Sequence, residues 1–323
     1  MTRVPVLIDC DPGHDDAIAL VLALGAPGLE VRGVTTVFGN CALPDATRNA
    51  LQVLDLAGRP DVPVAAGAAG PLVGETALGN YVHGASGLDG PELDPPSRAA
   101  DPRSAVQLMV DVLEQTEDPV TLVATGPITN VARLLLDRPD LAERVAEVVF
   151  MGGSTGRGNH TPAAEFNTYA DPEALDVVLR SGLRVRMVGL NLTHQALATP
   201  EVVDRLRAMP HRLGQVAAGW MGFFGSSYRR VWDFAAPPVH DPCTIAALVA
   251  PELVGWRESF VAVELDGRWT RGATVVDLDG RLDQAPNCAV ALELDAVAYW
   301  DLLLGAVDEL GVATAGPASL PVR

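Results

Sequence analysis

Apolar runs rich in β-branched residues alternate with longer helix-period segments through the first two-thirds of the chain. This alternation limits the possible folds more than any other feature. Val4–Asp9, Val31–Val37, Val64–Ala66, Thr121–Ala124, Glu147–Met151 and Arg184–Val188 predict buried strands. Between them Asp15–Leu24, Asp45–Ala57, Ser104–Gln115, Ile128–Leu136 and Asp171–Ser181 predict helices. Strand-then-helix alternation builds a mainly parallel sheet covered by helices on both faces. In such sheets ligands sit beyond the carboxyl ends of the strands, so the residues just after each strand carry the functional signal.

The last third reads differently. Pro200–Ala208, Arg212–Arg230 and Ala296–Leu310 predict helices, the last followed by a frayed tail containing proline. Phe260–Glu264, Thr274–Asp277 and Cys288–Glu293 are short strands separated by turn signals such as Asp266-Gly267 and Asp279-Gly280, which predict a small antiparallel patch. Gly74–Asp101 is rich in Gly, Pro and polar residues and predicts no element; a loop this long in a compact domain is usually functional or mobile. No repeat and no linker divides the chain. The expectation is one α/β domain over residues 1–323, with a mainly parallel central sheet and an antiparallel patch near the C-terminus.

The charge balance is −18, from 41 acidic against 23 basic residues. Such a surface repels phosphate backbones and anionic lipid, so nucleic acid and membrane are poor partners, and a small neutral substrate or a cation fits better. Lysine is absent, which excludes a lysine Schiff base and the lysine of a Walker-type phosphate loop. Cys10, Cys41, Cys243 and Cys288 are scattered without metal-finger spacing and read as reduced thiols. The first apolar stretch, ending at Asp9, is too short for a signal peptide, and no run reaches membrane-spanning length. The expected location is the cytoplasm.

Directly after the first strand stands Asp9-Cys10-Asp11-Pro12-Gly13-His14-Asp15-Asp16. Carboxylates packed this densely repel one another unless something positive sits among them. The Pro-Gly pair turns the chain back, so both acidic pairs can converge on one point at the carboxyl edge of the sheet. Asp15 and Asp16 also suit the positive end of a helix dipole, but capping does not account for Asp9 and Asp11. An all-oxygen cluster selects a hard cation, Ca²⁺ or Mg²⁺. Two other segments draw notice. Alone, His240-Asp241-Pro242 reads as an ordinary helix cap with a solvated histidine. Asn159, Glu165 and Asn167 offer hydrogen-bonding groups suited to sugar hydroxyls, or to the local backbone. Met151-Gly152-Gly153 lets backbone approach a ligand closely.

Taken together, these segments resemble the inosine-uridine-preferring nucleoside hydrolase family over nearly the whole chain. The core of the likeness is Asp9-x-Asp11-Pro12-Gly13-x-Asp15-Asp16. In the same order follow Thr125-Gly126-Pro127-Ile128-Thr129-Asn130, Met151-Gly152-Gly153, Glu165-Phe166-Asn167, Ala170-Asp171-Pro172 and Pro238-Val239-His240-Asp241. The resemblance implies a tightly held Ca²⁺, hydrolysis of ribonucleosides to ribose and free base in nucleoside salvage, and a homodimer or homotetramer. It places Asp11, Asp16, the Thr125 carbonyl and Asp241 as calcium ligands. It puts Asp15 and Asn167 on the 2′ and 3′ hydroxyls, and Asn159 and Glu165 near the 5′ end. Asn40 falls beside the ribose, Met151 among the substrate contacts, and His83 and Tyr228 at the base. His240 is similar to the leaving-group residue of broad-specificity members. His14 fills a variable position and receives no role.

The chemistry expected of such a site is simple. Calcium fixes a water and the ribose diol, and because it acidifies water weakly, Asp11 is the candidate base. An oxocarbenium-like transition state is stabilised by the surrounding oxygens, and His240 protonates the departing base. Two rivals stand against this account. One is a haloacid-dehalogenase-type phosphatase, opposed by Pro12-Gly13 and by the absence of lysine. The other is a non-catalytic calcium- or ribose-binding protein. The preferred base is left open.

Overall fold

In the computed structural model, which describes residues 3–315, nine strands form one sheet. They are β1 (Val4–Cys10), β2 (Leu29–Thr36), β3 (Val64–Ala66), β4 (Val120–Ala124), β5 (Val145–Met151), β6 (Val185–Val188), β7 (Val254–Val263), β8 (Thr274–Asp277) and β9 (Cys288–Leu294). Their order is β3-β2-β1-β4-β5-β6-β9-β7-β8. The first six are parallel, as the alternation predicts.

Burial on both faces explains why the central strands are apolar throughout. In β1, Val6 and Ile8 enter one core and Leu7 the other. The first core packs under the helices His14–Gly25, Pro242–Val249 and Ala296–Ala315. The second packs under Ala105–Gln115, Thr129–Asp137 and Pro172–Leu179. His14–Gly25 is buried on nearly every side, so its sequence lacks a polar stripe.

The chain order changes direction beside β1. From β1 it steps outward to β2 and β3, then returns to β4 on the other flank. Asp9 pairs in register with Thr35 of β2 and Ala124 of β4. The carboxyl ends of β1 and β4 therefore bound the crevice where open α/β sheets bind ligands. Into it open the Asp9–Asp16 turn and Thr125.

The antiparallel patch expected near the C-terminus is present: β9 lies parallel beside β6, and β7 and β8 extend the main sheet antiparallel from it. Two expectations need correction. Strand β7 starts at Val254, six residues before the expected Phe260. Its first half, with half-buried and exposed positions and a register shift after Gly255, hides its period. Gly74–Asp101 does hold an element, the short helix Asn80–His83. The last helix runs to Ala315, and the expected frayed tail lies outside the described residues. Among the described residues no helix is long and apolar enough to cross a membrane.

Candidate active site

The turn after β1 builds the floor. Gly13 N–H donates to Asp16 Oδ2 at 3.0 Å, so Asp16 caps the helix it belongs to. The Thr125 hydroxyl, just past β4, donates to Asp16 Oδ1 at 2.7 Å, and Asn40 Nδ2 donates to Oδ2 at 3.0 Å. Asp11 Oδ2 accepts from the Asn40 N–H at 2.7 Å, while its Oδ1 is buried with no partner. A side chain at Gly39 or Gly126 would collide with this carboxylate, so both glycines hold the backbone close around it. Asp9 lies beneath, its Oδ1 accepting from Thr35 at 2.7 Å and Asn130 at 2.8 Å.

Asp241 arrives from the far end of the sequence, at the head of the helix Pro242–Val249. Asp15, Asp16 and Asp241 each offer a carboxylate oxygen within 4.8 Å of the others. Asp11 is not one of that trio. The His240 N–H donates to Asp15 Oδ2 at 3.3 Å and ties the two segments together. All five aspartates are at most 4% exposed. None has an arginine or histidine ion-pair partner among the described residues. Burial, then Asp16, holds the Asp11 carboxyl well above the ordinary range. Burial, then Asp15 and Asp16, does the same to Asp241, and burial with Asp16 pushes Asp15 up to about 7. Carboxylates this dry and this close retain protons unless a cation joins them. The donor set is all oxygen, Asp11 Oδ1 and the underlying Asp9 Oδ2 are orphaned, and no internal cation among the described residues balances the cluster. A hard divalent cation fits.

The walls come from four segments. Glu165 accepts from the N–H groups of Gly153, Asn167 and Thr168 at 3.0, 2.9 and 3.1 Å, capping the helix Phe166–Ala170. Burial nevertheless pushes its carboxyl up to about 7. Asn159 Oδ1 accepts from the Phe166 N–H at 2.9 Å. Asn167 Nδ2 donates to the carbonyls of Thr125 at 2.7 Å and Met151 at 3.1 Å, which leaves Oδ1 as its free end. Tyr228, Phe224 and Trp232 descend from the helix Arg212–Trp232, and His83 from Asn80–His83.

His240 is not a solvated histidine, and the Asp241 side chain makes no cap bond. The ring is 5% exposed, with Nδ1 2.7 Å from Thr193 Oγ1 and Nε2 2.7 Å from the Tyr228 hydroxyl. Burial pushes its pKa down to about 3, so the ring is neutral at neutral pH. Burial, then Asp15, pushes the Tyr228 phenol up, so it keeps its proton.

One cavity gathers Asp15, Asn40, His83, Thr125, Met151, Asn159, Glu165, Asn167, Tyr228, His240 and Asp241. Asp11 and Asp16, also expected at the site, lie sealed beneath its floor. Sequence reasoning missed Asn130, which braces Asp9, and Thr193, which braces His240. Asn130 stood at the end of a quoted motif, and Thr193 carried no signal beyond its hydroxyl.

Residues 6–301 match the family described as inosine-uridine preferring nucleoside hydrolase. The chain is 47% identical over 301 residues to a pyrimidine-specific ribonucleoside hydrolase RihA of Salmonella paratyphi A, covering 93% of this chain and 97% of the relative. It is 48% identical over 302 residues to that of Citrobacter koseri, covering 93% and 96%. Among solved structures, a purine-preferring ribonucleoside hydrolase from Gardnerella vaginalis superposes with a TM-score of 0.89 at 30% identity, covering 95% of this chain and 99% of that one. A plant nucleoside hydrolase gives 0.88 at 33% identity with the same coverage. The phosphatase alternative has no support in a match of this extent. The chain belongs to the inosine-uridine preferring nucleoside hydrolase family and is a nucleoside N-ribohydrolase.

Proposed function

We propose that this enzyme hydrolyses pyrimidine ribonucleosides to ribose and free base with the help of one Ca²⁺. The observation that carries the proposal is the group of buried, unpaired carboxylates under the cavity at the switch point of the sheet. Asp11, Asp16, Asp241 and the Thr125 carbonyl would hold the cation. Asp16 and Asp241 belong to the converging trio, and a cation supplies the partner that Asp11 Oδ1 lacks. Asp15 lines the cavity, where Asp11 does not, and is left for the ribose. When bound, the cation orients the attacking water and balances the carboxylates.

The side chains divide the remaining work. Asp11 is the general base for the attacking water. Asp15 and the free Asn167 Oδ1 accept hydrogen bonds from the 2′ and 3′ hydroxyls. Asn40, Met151, Asn159 and Glu165 hold the rest of the ribose. The positive charge that develops on the sugar is stabilised by these oxygens. The base leaves towards His83 and Tyr228. A one-way hydrogen-bond chain serves it: Thr193 hydroxyl to His240 Nδ1, His240 Nε2–H to the Tyr228 oxygen, Tyr228 hydroxyl to the base. Neutral His240 would thus orient and polarise the Tyr228 hydroxyl, whose hydrogen bond stabilises the charge on the departing base, with no proton drawn from Thr193. Assembly as a homodimer or homotetramer and a cytoplasmic place in nucleoside salvage belong to the same proposal.

The pyrimidine preference follows the relatives at 46–48% identity, which are named pyrimidine-specific, over the purine-preferring structure at 30%. Release of free base from uridine, cytidine and inosine tests it. The expected kcat/KM for both pyrimidine nucleosides exceeds that for inosine by about 10²-fold or more, a discrimination within reach of a shaped pocket. Equal or faster inosine turnover overturns it. The relay has its own test. His240→Ala should cost about 10²–10⁴-fold on uridine, the range for acid–base catalysis, and spare a nitrophenyl riboside whose leaving group departs as an anion. Equal losses on the two substrates would reject the leaving-group role.

A further inference from the structure

A second cavity opens beside the first, along the carboxyl ends of β5 and β6. At about 670 Å³ it falls within the size range of small-molecule sites, roughly 300–1,000 Å³. The two cavities share Asn159, Tyr228 and Trp232. Leu190 and Phe234 give the second one an apolar wall, which His194 and Ser154 complete. The His194 ring meets Phe234 edge-on at 5.6 Å and lies 5.8 Å from His240, so this wall backs onto the leaving-group side of the site.

Among the described residues lining either cavity, Arg157 is the one arginine. Its side chain is exposed, but the backbone beneath it is fixed on both sides. The Gly156 N–H donates to Ser154 Oγ at 3.0 Å, and the Gly158 N–H to the Pro162 carbonyl at 3.2 Å. A Cβ at Gly158 would stand 2.1 Å from the Ala164 carbonyl oxygen, so the glycine lets the loop close on itself. Arg157 makes no ion pair among the described residues. In a chain of net charge −18, an unpaired cation at a cavity reverses the local field and favours an anionic group there.

The shared residues show which part of a substrate faces this space. In the reading above, Asn159 serves the ribose near its 5′ end and Tyr228 the base. A pyrimidine nucleoside in its ordinary anti form turns the C5–C6 edge of the base towards the 5′ side of the sugar and its C2 carbonyl away. A space bounded by a 5′-side residue and a base-side residue therefore faces C5. Uridine and cytidine carry only hydrogen there, so neither fills it.

We propose that the second cavity receives a side arm carried on C5 of the pyrimidine, and that Arg157 selects arms ending in a carboxylate. This rests on the pyrimidine ribonucleoside reading above and widens it to 5-carboxyalkyl pyrimidine ribonucleosides, cleaved by the same hydrolysis. The carboxylate is at the far end of the arm, away from the aspartate floor, and the guanidinium meets it with charge-assisted hydrogen bonds.

The test measures kcat/KM for base release from uridine, 5-carboxymethyluridine and its neutral amide, 5-carbamoylmethyluridine, with wild type and with Arg157→Ala. Wild type should turn over the acid within about 10-fold of uridine, since a cavity that accommodates the arm exacts no large steric loss. Arg157→Ala should lose about 10-fold on the acid, the scale of one charged hydrogen bond, and less than about 2-fold on uridine and the amide. A wild type active on uridine but slower than that on the acid overturns the inference alone. An equal change on all three substrates, or none on the acid, overturns the role of Arg157. A wild type inactive on uridine removes the function reading, and this inference with it.

Discussion

Asp241→Ala and Asp11→Ala are each expected to leave the protein without its divalent cation and with activity lowered by about 10³-fold or more, because a bound cation contributes several kcal/mol to such a transition state. The two residues lie 230 positions apart in sequence and reach the same floor, Asp241 from the head of a late helix and Asp11 from the first turn. Removing either leaves the remaining carboxylates with too few oxygens to hold a cation that prefers six to eight. Added Ca²⁺ should restore chelator-treated wild type and fail to restore either variant. Elemental analysis checks this independently of turnover. Zinc in the purified protein, or full activity in a metal-free preparation, would contradict it.

The second large effect concerns the sugar. Uridine should be turned over about 10⁴-fold faster than 2′-deoxyuridine, because a site built to bond a hydroxyl leaves buried polar groups unpaired when that hydroxyl is missing. Asp15 is 4% exposed and Asn167 has one amide end already committed to two carbonyls, so neither can turn to solvent for a replacement. Steady-state kinetics on the two nucleosides decides the matter. Comparable rates would show that these residues do not read the ribose diol.

The parallel half of the sheet was legible because its strands are buried on both faces and therefore announce themselves as unbroken apolar runs. Strand β7 was legible only where it alternates cleanly, from Phe260; upstream, Gly255 to Glu258 run as two half-buried and then two exposed positions. The helix Asn80–His83 is four residues long, too short for any period, and it was missed although it delivers His83 to the cavity. The aspartate cluster stood out because four of its five carboxylates lie in eight consecutive residues. Asp241 did not: by itself, beside a histidine and before a proline, it looked like a cap. Its place in the site depends on a fold that joins the ends of β1 and β4 to the late helix. The bond from Thr193 to His240 spans 47 residues and has no local pattern, so only the structure reveals it.

The central claim is hydrolysis of the N-glycosidic bond of a ribonucleoside at a calcium-dependent site. The most direct measurement follows uridine with the calcium-loaded enzyme in phosphate-free buffer, quantifying uracil and ribose together before and after chelation. The account predicts uracil and ribose released one for one, turnover lost with the metal and regained with added Ca²⁺. No release, or release only when phosphate is supplied and with ribose 1-phosphate as the product, would contradict it.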